Sequence, residues 1–205
     1  MTTNSSVTRR TALVIAGAAA LSIGLLALRA FVRPFPPDTT PDGAYLRIAL
    51  ALSEHRESDI FAYLETDAQW ASFSVRDMRR EAAGFVRSSY PDGERQRLLP
   101  TLEEEAAAKD GPELFALMAK RKGFAARLKK DLSGVQAVEI QGDRASVVTA
   151  RGTRYPFRRR ENGIWGLTIF TAELVAERNR AARDLEVIRT AAEDYARAAK
   201  REDRR

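Results

Sequence analysis

Eighteen consecutive uncharged, mostly apolar residues run from Thr11 to Leu28, preceded by Arg9 and Arg10 and followed by Arg29 and Arg33. A core helix seldom needs so long a run without a charge. Continued through Val32, it is a helix of about 33 Å at about 1.5 Å per residue, enough to cross a hydrocarbon layer of about 30 Å. The run therefore predicts a transmembrane anchor over residues 11–32, with a short tail at 1–10. Arg29 falls near the end of the span, where its long stem lets the guanidinium reach the headgroups. A cleavable export signal competes with this reading. Such signals carry a shorter apolar stretch and a small-x-small cleavage site. Here Leu28-Arg29-Ala30 has the wrong residues for one, and Ala18-x-Ala20 fits the pattern, but a cut there would strand an apolar Leu21 to Leu28 remnant.

Arginines flank the run almost evenly, so the positive-inside comparison is close to balanced. After so short a tail, the body is expected on the extracytoplasmic side of an inner membrane. The chain has no cysteine. That removes disulfides, lipoprotein attachment and thiolate chemistry.

The net charge of +6 invites a nucleic-acid reading until it is located. Residues 1–33 hold four arginines and no acid, which leaves 30 basic against 28 acidic residues beyond them. The body is nearly neutral, its charges alternate along helical stretches, and no nucleic-acid partner is expected. Pro34, Pro36, Pro37 and Pro41 mark residues 33–40 as a stiff spacer between anchor and body.

The first half of the body reads as helix. Thr40-Pro41-Asp42 supplies a hydroxyl cap, a proline at the first helical position and an acid in the first turn. Tyr45, Ile48, Ala49 and Leu52 follow at helical spacing. A short helix is expected after Ser58 with Ile60, Phe61 and Leu64. Ser74-Val75-Arg76-Asp77 resembles a capping box opening a third helix, which Pro91 stops. Residues 92–133 predict two or three more helices, broken at Pro100, at Gly111-Pro112 and at Gly123.

Then the period shortens to two. Val135–Ile140, Ala145–Ala150, Thr153–Arg160 and Ile164–Phe170 alternate between turn signals, which predicts a four-stranded antiparallel meander. Read as a two-residue turn, Asn162-Gly163 pairs Arg160 with Trp165, Arg158 with Leu167 and Pro156 with Ile169. That register puts Val138, Ile140, Val147, Leu167 and Ile169 on one face and Val135, Val148, Tyr155, Phe157 and Phe170 on the other, so both faces read as apolar. Pro156 in a central strand calls for a bulge or bend. Thr171 is the expected cap of a long amphipathic helix over 171–205. Its Leu174, Ala181, Leu185, Ile188, Ala192, Tyr195 and Ala199 suit either packing on its own domain or a self-associating coiled coil.

The fold class expected is thus α+β, with helices packed on a curved meander and a long C-terminal helix. Thr40-Pro41-Asp42-Gly43-Ala44-Tyr45 with the Ser58–Leu64 helix is similar to the opening of small NTF2-like (cystatin-like) domains of bacterial envelope proteins. Gly163-Ile164-Trp165-Gly166-Leu167 resembles their terminal Trp-bearing strands. The resemblance covers residues 40–90 and 134–170 within an expected domain at 41–170, and the helical insertion at about 92–133 departs from it. The layout of tail, span, spacer and domain resembles that of Mce-associated membrane proteins and of bitopic scaffold subunits of type IV secretion systems. It implies a non-catalytic binding or scaffold protein of the cell envelope, with other envelope proteins as partners.

The residues offer little for chemistry. His55 is the single histidine, so no Cys/His metal site can form, and no cofactor is expected. A tethered lyase or isomerase is the alternative, using Asp59, Asp67 or Asp77 in a pocket with Tyr45 and Tyr63. The densest charge cluster is Arg151, Arg154, Arg158, Arg159 and Arg160. Alternation sets Arg154, Arg158 and Arg160 beside Trp165, a candidate patch for an anionic partner or lipid headgroups.

Overall fold

The computed structural model describes residues 35–202. The tail, the proposed span at 11–32 and the start of the spacer lie outside them. Among the described residues no helix is long and apolar enough to cross a membrane. The body from Pro36 onward is α+β. In chain order it comprises α1 (Pro41–Ser53), a 3-10 helix (Glu57–Tyr63), α2 (Thr66–Ser89), α3 (Asp92–Ala106), α4 (Gly111–Lys122) and α5 (Phe124–Asp131). Strands β1 (Val135–Gln141), β2 (Arg144–Thr149), β3 (Arg154–Arg159) and β4 (Trp165–Leu167) follow, and then α6 (Thr171–Glu202). The four strands pair in sequence order, all antiparallel, as the alternating pattern predicts.

Local chemistry explains several boundaries. Thr40 caps α1 as expected, its hydroxyl accepting from the Gly43 N–H, with Pro41 at the first helical position. Tyr45, Ile48 and Leu52 of the predicted stripe are buried, joined by Ala44 and Ala51, while Ala49 is only half-buried. Pro91 holds Tyr90 extended and ends α2. Gly123, at φ +67°, closes α4 and opens α5.

Two helix signals mislead. Ser74-Val75-Arg76-Asp77 lies inside α2, which begins eight residues earlier at Thr66. The start is fixed by tertiary pairing: Leu64 bridges Leu167, and the Glu65 N–H donates to the Leu167 carbonyl, so the chain can turn into helix only after that edge contact. Pro100 sits inside α3 and does not break it. Proline removes the bond to the carbonyl four residues back, here that of Gln96, and both residues are exposed, so the freed oxygen is not left in the core.

The register of the last hairpin differs from the expected one by a single residue. Arg159 pairs with Trp165, Arg158 with Gly166 and Phe157 with Leu167. The turn is a three-residue loop: the Gly163 N–H donates to the Arg160 carbonyl, the Arg160 N–H to the Ile164 carbonyl, and Gly163 takes φ +82°. This is the type I turn plus left-handed glycine that Asn-Gly serves equally well. A one-residue slip exchanges faces. The inner face therefore carries Ala145, Val147, Tyr155, Phe157, Trp165 and Leu167, all buried. The outer face carries Glu139, Ser146, Val148, Arg154, Pro156 and Arg158. The expectation of two apolar faces is corrected to one.

Pro156 needs no bulge. In this register its missing N–H would have met the Thr168 carbonyl, where β4 has already ended, and that carbonyl instead accepts from the Thr171 N–H at 3.0 Å. The sheet's irregularity lies in β1, between Val135 and Ala137. Thr171, expected as a cap, is the first residue of α6, and its hydroxyl donates to Glu65 at 2.7 Å.

Two cores result. The first packs α1, the 3-10 helix, α4 and α5 on the inner face of the sheet, around Tyr45, Leu52, Leu114, Phe115, Phe157 and Phe170. Phe170 stacks on Phe124 with ring centroids 4.2 Å apart. The second joins the far half of α2 to α3 and α6 through Val86, Tyr90, Leu102, Leu185 and Ile188. Each such large side chain contributes about 1.5–3 kcal/mol by leaving water. The stripe of α6 from Leu174 to Ala192 is thus buried within its own domain.

The spacer is part of the body from Pro36 onward. Arg47 donates to the Pro36 carbonyl at 2.8 Å, and the Trp165 indole N–H donates to the Thr39 carbonyl at 3.1 Å. Gly43 makes room: a Cβ there would lie 1.9 Å from the Pro37 carbonyl oxygen.

Candidate binding cleft

A cleft of about 520 Å³ opens between the start of α2 and the β3–β4 hairpin. One wall is Glu65, Thr66, Asp67 and Trp70. The other is Asp143 in the β1–β2 turn with Arg158 to Asn162. Each wall is held by backbone bonds. The Arg159 N–H donates to the Asp143 carbonyl at 2.7 Å, which binds the two turns together. Gly166 lets β4 press against the turn before α2, because a Cβ there would meet Glu65 Cα and N at 2.7 Å.

The floor is an ionic cluster. Glu65, nearly buried, accepts from Arg158 Nη1 at 3.3 Å and from the Thr171 hydroxyl at 2.7 Å, and Arg158 Nε reaches Asp143 at 3.1 Å. The two carboxylates, Asp143 first, raise the Arg158 pKa. This guanidinium thus ties β3 to both α2 and the β1–β2 turn.

Trp70 stands on the rim with 64% of its surface exposed. It leans on Phe73 at 6.2 Å between centroids, and Phe73 meets Phe61 edge-on at 5.5 Å. A large exposed indole on a rigid aromatic base is a common anchor of protein interfaces. Around it the walls carry four carboxylates, Glu65, Asp67, Asp143 and Glu161, against three guanidiniums, Arg158, Arg159 and Arg160. The cleft is close to neutral and mixed in sign.

The predicted arginine patch is not assembled as expected. Arg154 and Arg158 share the outer face, but Trp165 faces the core opposite Arg159, because the hairpin register slips by one. Arg154 is held bidentately by Glu139 at 2.5 and 3.0 Å, and that bond lowers the Glu139 pKa. Arg160 donates to the Ala62 carbonyl at 2.8 Å, and burial lowers its pKa. Arg151 donates to the Lys130 carbonyl at the end of α5.

The carboxylates considered for catalysis are dispersed as well. Asp59 pairs with Arg56 at 2.7 Å, Asp77 with Arg76 at 2.6 Å, and Asp67 lines the cleft in the first turn of α2. The Tyr45 hydroxyl donates to the Ser133 carbonyl and accepts from the Ser133 N–H, and burial raises its pKa. Tyr63 lies near Asp59 in a separate depression. His55 is exposed at φ 55°, with Nδ1 3.3 Å from Lys129 Nζ. Among the described residues no three acidic or histidine side chains are grouped to hold a metal ion.

Sequence reasoning missed Glu65 and Trp70. Their signal was weak but present: Ala68, Ala71, Ser72 and Val75 form the buried stripe of α2, and Trp70 falls off it. No protein-family model matches this chain, and neither a curated protein nor a solved structure matches it.

Proposed function

We propose that this chain is a single-pass, membrane-anchored binding or scaffold protein of the bacterial cell envelope, with no catalytic role. Residues 11–32 anchor it in the inner membrane, its body lies on the extracytoplasmic side, and the body is an NTF2-like domain carrying a helical insertion at 92–133. The α1 stripe and the Trp165-bearing strand support the family reading, and the uncharged run at 11–28 supports the anchor. The observation that carries the binding role is Trp70, exposed on the rim of a mixed-charge cleft whose buried carboxylate, Glu65, is already engaged by Arg158 and Thr171. Both Glu65 oxygens are committed within the protein, Oε1 to Arg158 and Oε2 to the Thr171 hydroxyl. An aromatic anchor amid balanced charges fits a polypeptide partner.

A photoreactive side chain at position 70, compared with one at Gln136 on the sheet edge, tests this in native membranes. The expected outcome is a discrete heavier species from position 70 alone, containing one envelope protein. Equal or absent adducts at the two positions overturn the cleft as the docking site.

A further inference from the structure

The latched spacer has a consequence for the membrane. The Pro36–Thr40 segment is bonded to the body at both ends: Pro36 to Arg47, and Asp38 and Thr39 to Trp165 through its backbone N–H at 3.5 Å and its indole N–H at 3.1 Å. Thr40 closes the turn, its N–H and hydroxyl both donating to the Pro37 carbonyl. The length of chain between Val32 and Pro36 is then only four peptide steps, which reach at most about 14 Å when fully extended.

Pro36 ends beside a depression of about 370 Å³ between α1 and the 3-10 helix, lined by Arg47, Leu50, Arg56, Ala62 and Tyr63 among others. Leu50 is partly exposed there, and Tyr63 offers an apolar ring with a polar tip. Residues of this kind suit the boundary between headgroups and acyl chains.

We infer that this face, from the Pro36–Thr40 strap across Leu50, Ala62 and Tyr63, is the surface the body lays against phospholipid headgroups. The inference rests on the proposed span at 11–32. The tether imposes the contact by holding the face at high local concentration. Charge contributes little, because Arg47 and Arg56 are matched by Asp38, Glu54 and Asp59. Salt therefore does not release it, unlike a basic patch on anionic lipid. Helix α6 starts beside Glu65 and carries Ala198 about 40 Å further along its axis.

The chain lacks cysteine, so single labels are easily introduced. Full-length Ala62→Cys and Ala198→Cys, each with a fluorophore, are reconstituted in vesicles of mixed zwitterionic and anionic phospholipid containing headgroup-nitroxide lipid. Strong quenching at position 62, none at 198, and persistence at high salt are expected. Gly43→Leu, whose side chain must displace the Pro37 carbonyl, is expected to weaken quenching at 62 by freeing about five residues of tether, roughly 17 Å. Equal quenching at the two positions, or its loss in salt, overturns the inference while alkaline extraction still leaves the protein in the membrane. Release of the protein by alkaline extraction overturns the anchor itself, and the inference with it.

Discussion

Arg79 of α2 and Glu105 of α3 meet at 2.9 Å with only 11% and 7% of their side chains exposed. Asp184 of α6 holds the other arm of Arg79 at 2.7 Å, and Arg121 of α4 also donates to Glu105. Four helices thus converge on one ionic node at the junction of the two cores. Removing one member of such a pair leaves a buried charge without a partner, which costs about 3–5 kcal/mol, whereas replacing both by apolar residues of similar volume is often near neutral. Glu105→Ala leaves Arg79 with Asp184 as a remaining partner and Arg121 half exposed to water, so it is expected to cost less than that, about 1.5–3 kcal/mol of unfolding stability. Arg79→Met combined with Glu105→Leu is expected to recover most of that loss. Urea denaturation of the two variants measures the difference.

Two glycines of the last hairpin serve different ends, and alanine separates them. Gly163 needs its freedom for φ +82°, and none of the described residues would touch a Cβ there. Gly163→Ala is expected to cost about 1–2 kcal/mol of backbone strain. Gly166 has an ordinary φ, but a Cβ would strike the Glu65 backbone at 2.7 Å and the Leu64 carbonyl at 2.8 Å. Backbone atoms cannot rotate away as a side chain can. Gly166→Ala is expected to cost more than Gly163→Ala and to disturb the Leu64–Leu167 bridge, read as faster amide exchange at Glu65.

These positions mark what the sequence could disclose. Elements governed by local chemistry were legible: Thr40 and Pro41 open α1, Pro91 stops α2, Gly123 divides α4 from α5, and four alternating runs became four strands in the expected order. Features decided between distant segments were not. The start of α2 waits on Leu64 reaching Leu167, Pro156 is spared by Thr171 capturing the Thr168 carbonyl, and the spacer is folded down by Trp165. The candidate site suffered most from one local ambiguity. Asn-Gly fits a two-residue or a three-residue turn, and the choice sent Trp165 into the core and away from Arg158. The cleft itself joins Trp70 to Arg160, ninety residues apart in sequence, and no pattern within either segment announces the other.

Thr149 ends β2 fully buried, with a hydroxyl that finds no hydrogen-bond partner among the described residues. Its backbone is fully used, the N–H donating to the Thr153 carbonyl and the carbonyl accepting from the Gly152 N–H. A buried hydroxyl without a partner carries its desolvation penalty uncompensated, about 1–3 kcal/mol. Thr149→Val keeps the shape and the β-branching. It is expected to raise stability by about 1 kcal/mol, a shift of a few degrees in the melting temperature of a body this size. Thr149→Ser retains the hydroxyl and loses a methyl, and it is expected to move the midpoint the other way.

Tyr155 and Tyr45 lie 5.1 Å apart between ring centroids in the first core. Burial pushes the Tyr155 phenol up to about 12, aided by the neighbouring Tyr45 and by Asp131. Burial also raises Tyr45 against the bond it makes to Ser133. A phenol with a raised folded pKa binds its proton more tightly when folded, so its contribution to stability is fully present below pH 10 and is lost as pH climbs toward 12. The loss from Tyr155 alone is about 2 kcal/mol across that window. The expected profile is flat through neutral pH and falls steeply above about pH 10. Tyr155→Phe removes the titrating group together with the bond to the Leu128 carbonyl at 3.3 Å. Its stability at neutral pH is expected to change by about 1 kcal/mol or less, while its alkaline slope is markedly shallower. A slope unchanged by the substitution would assign the alkaline transition to other groups.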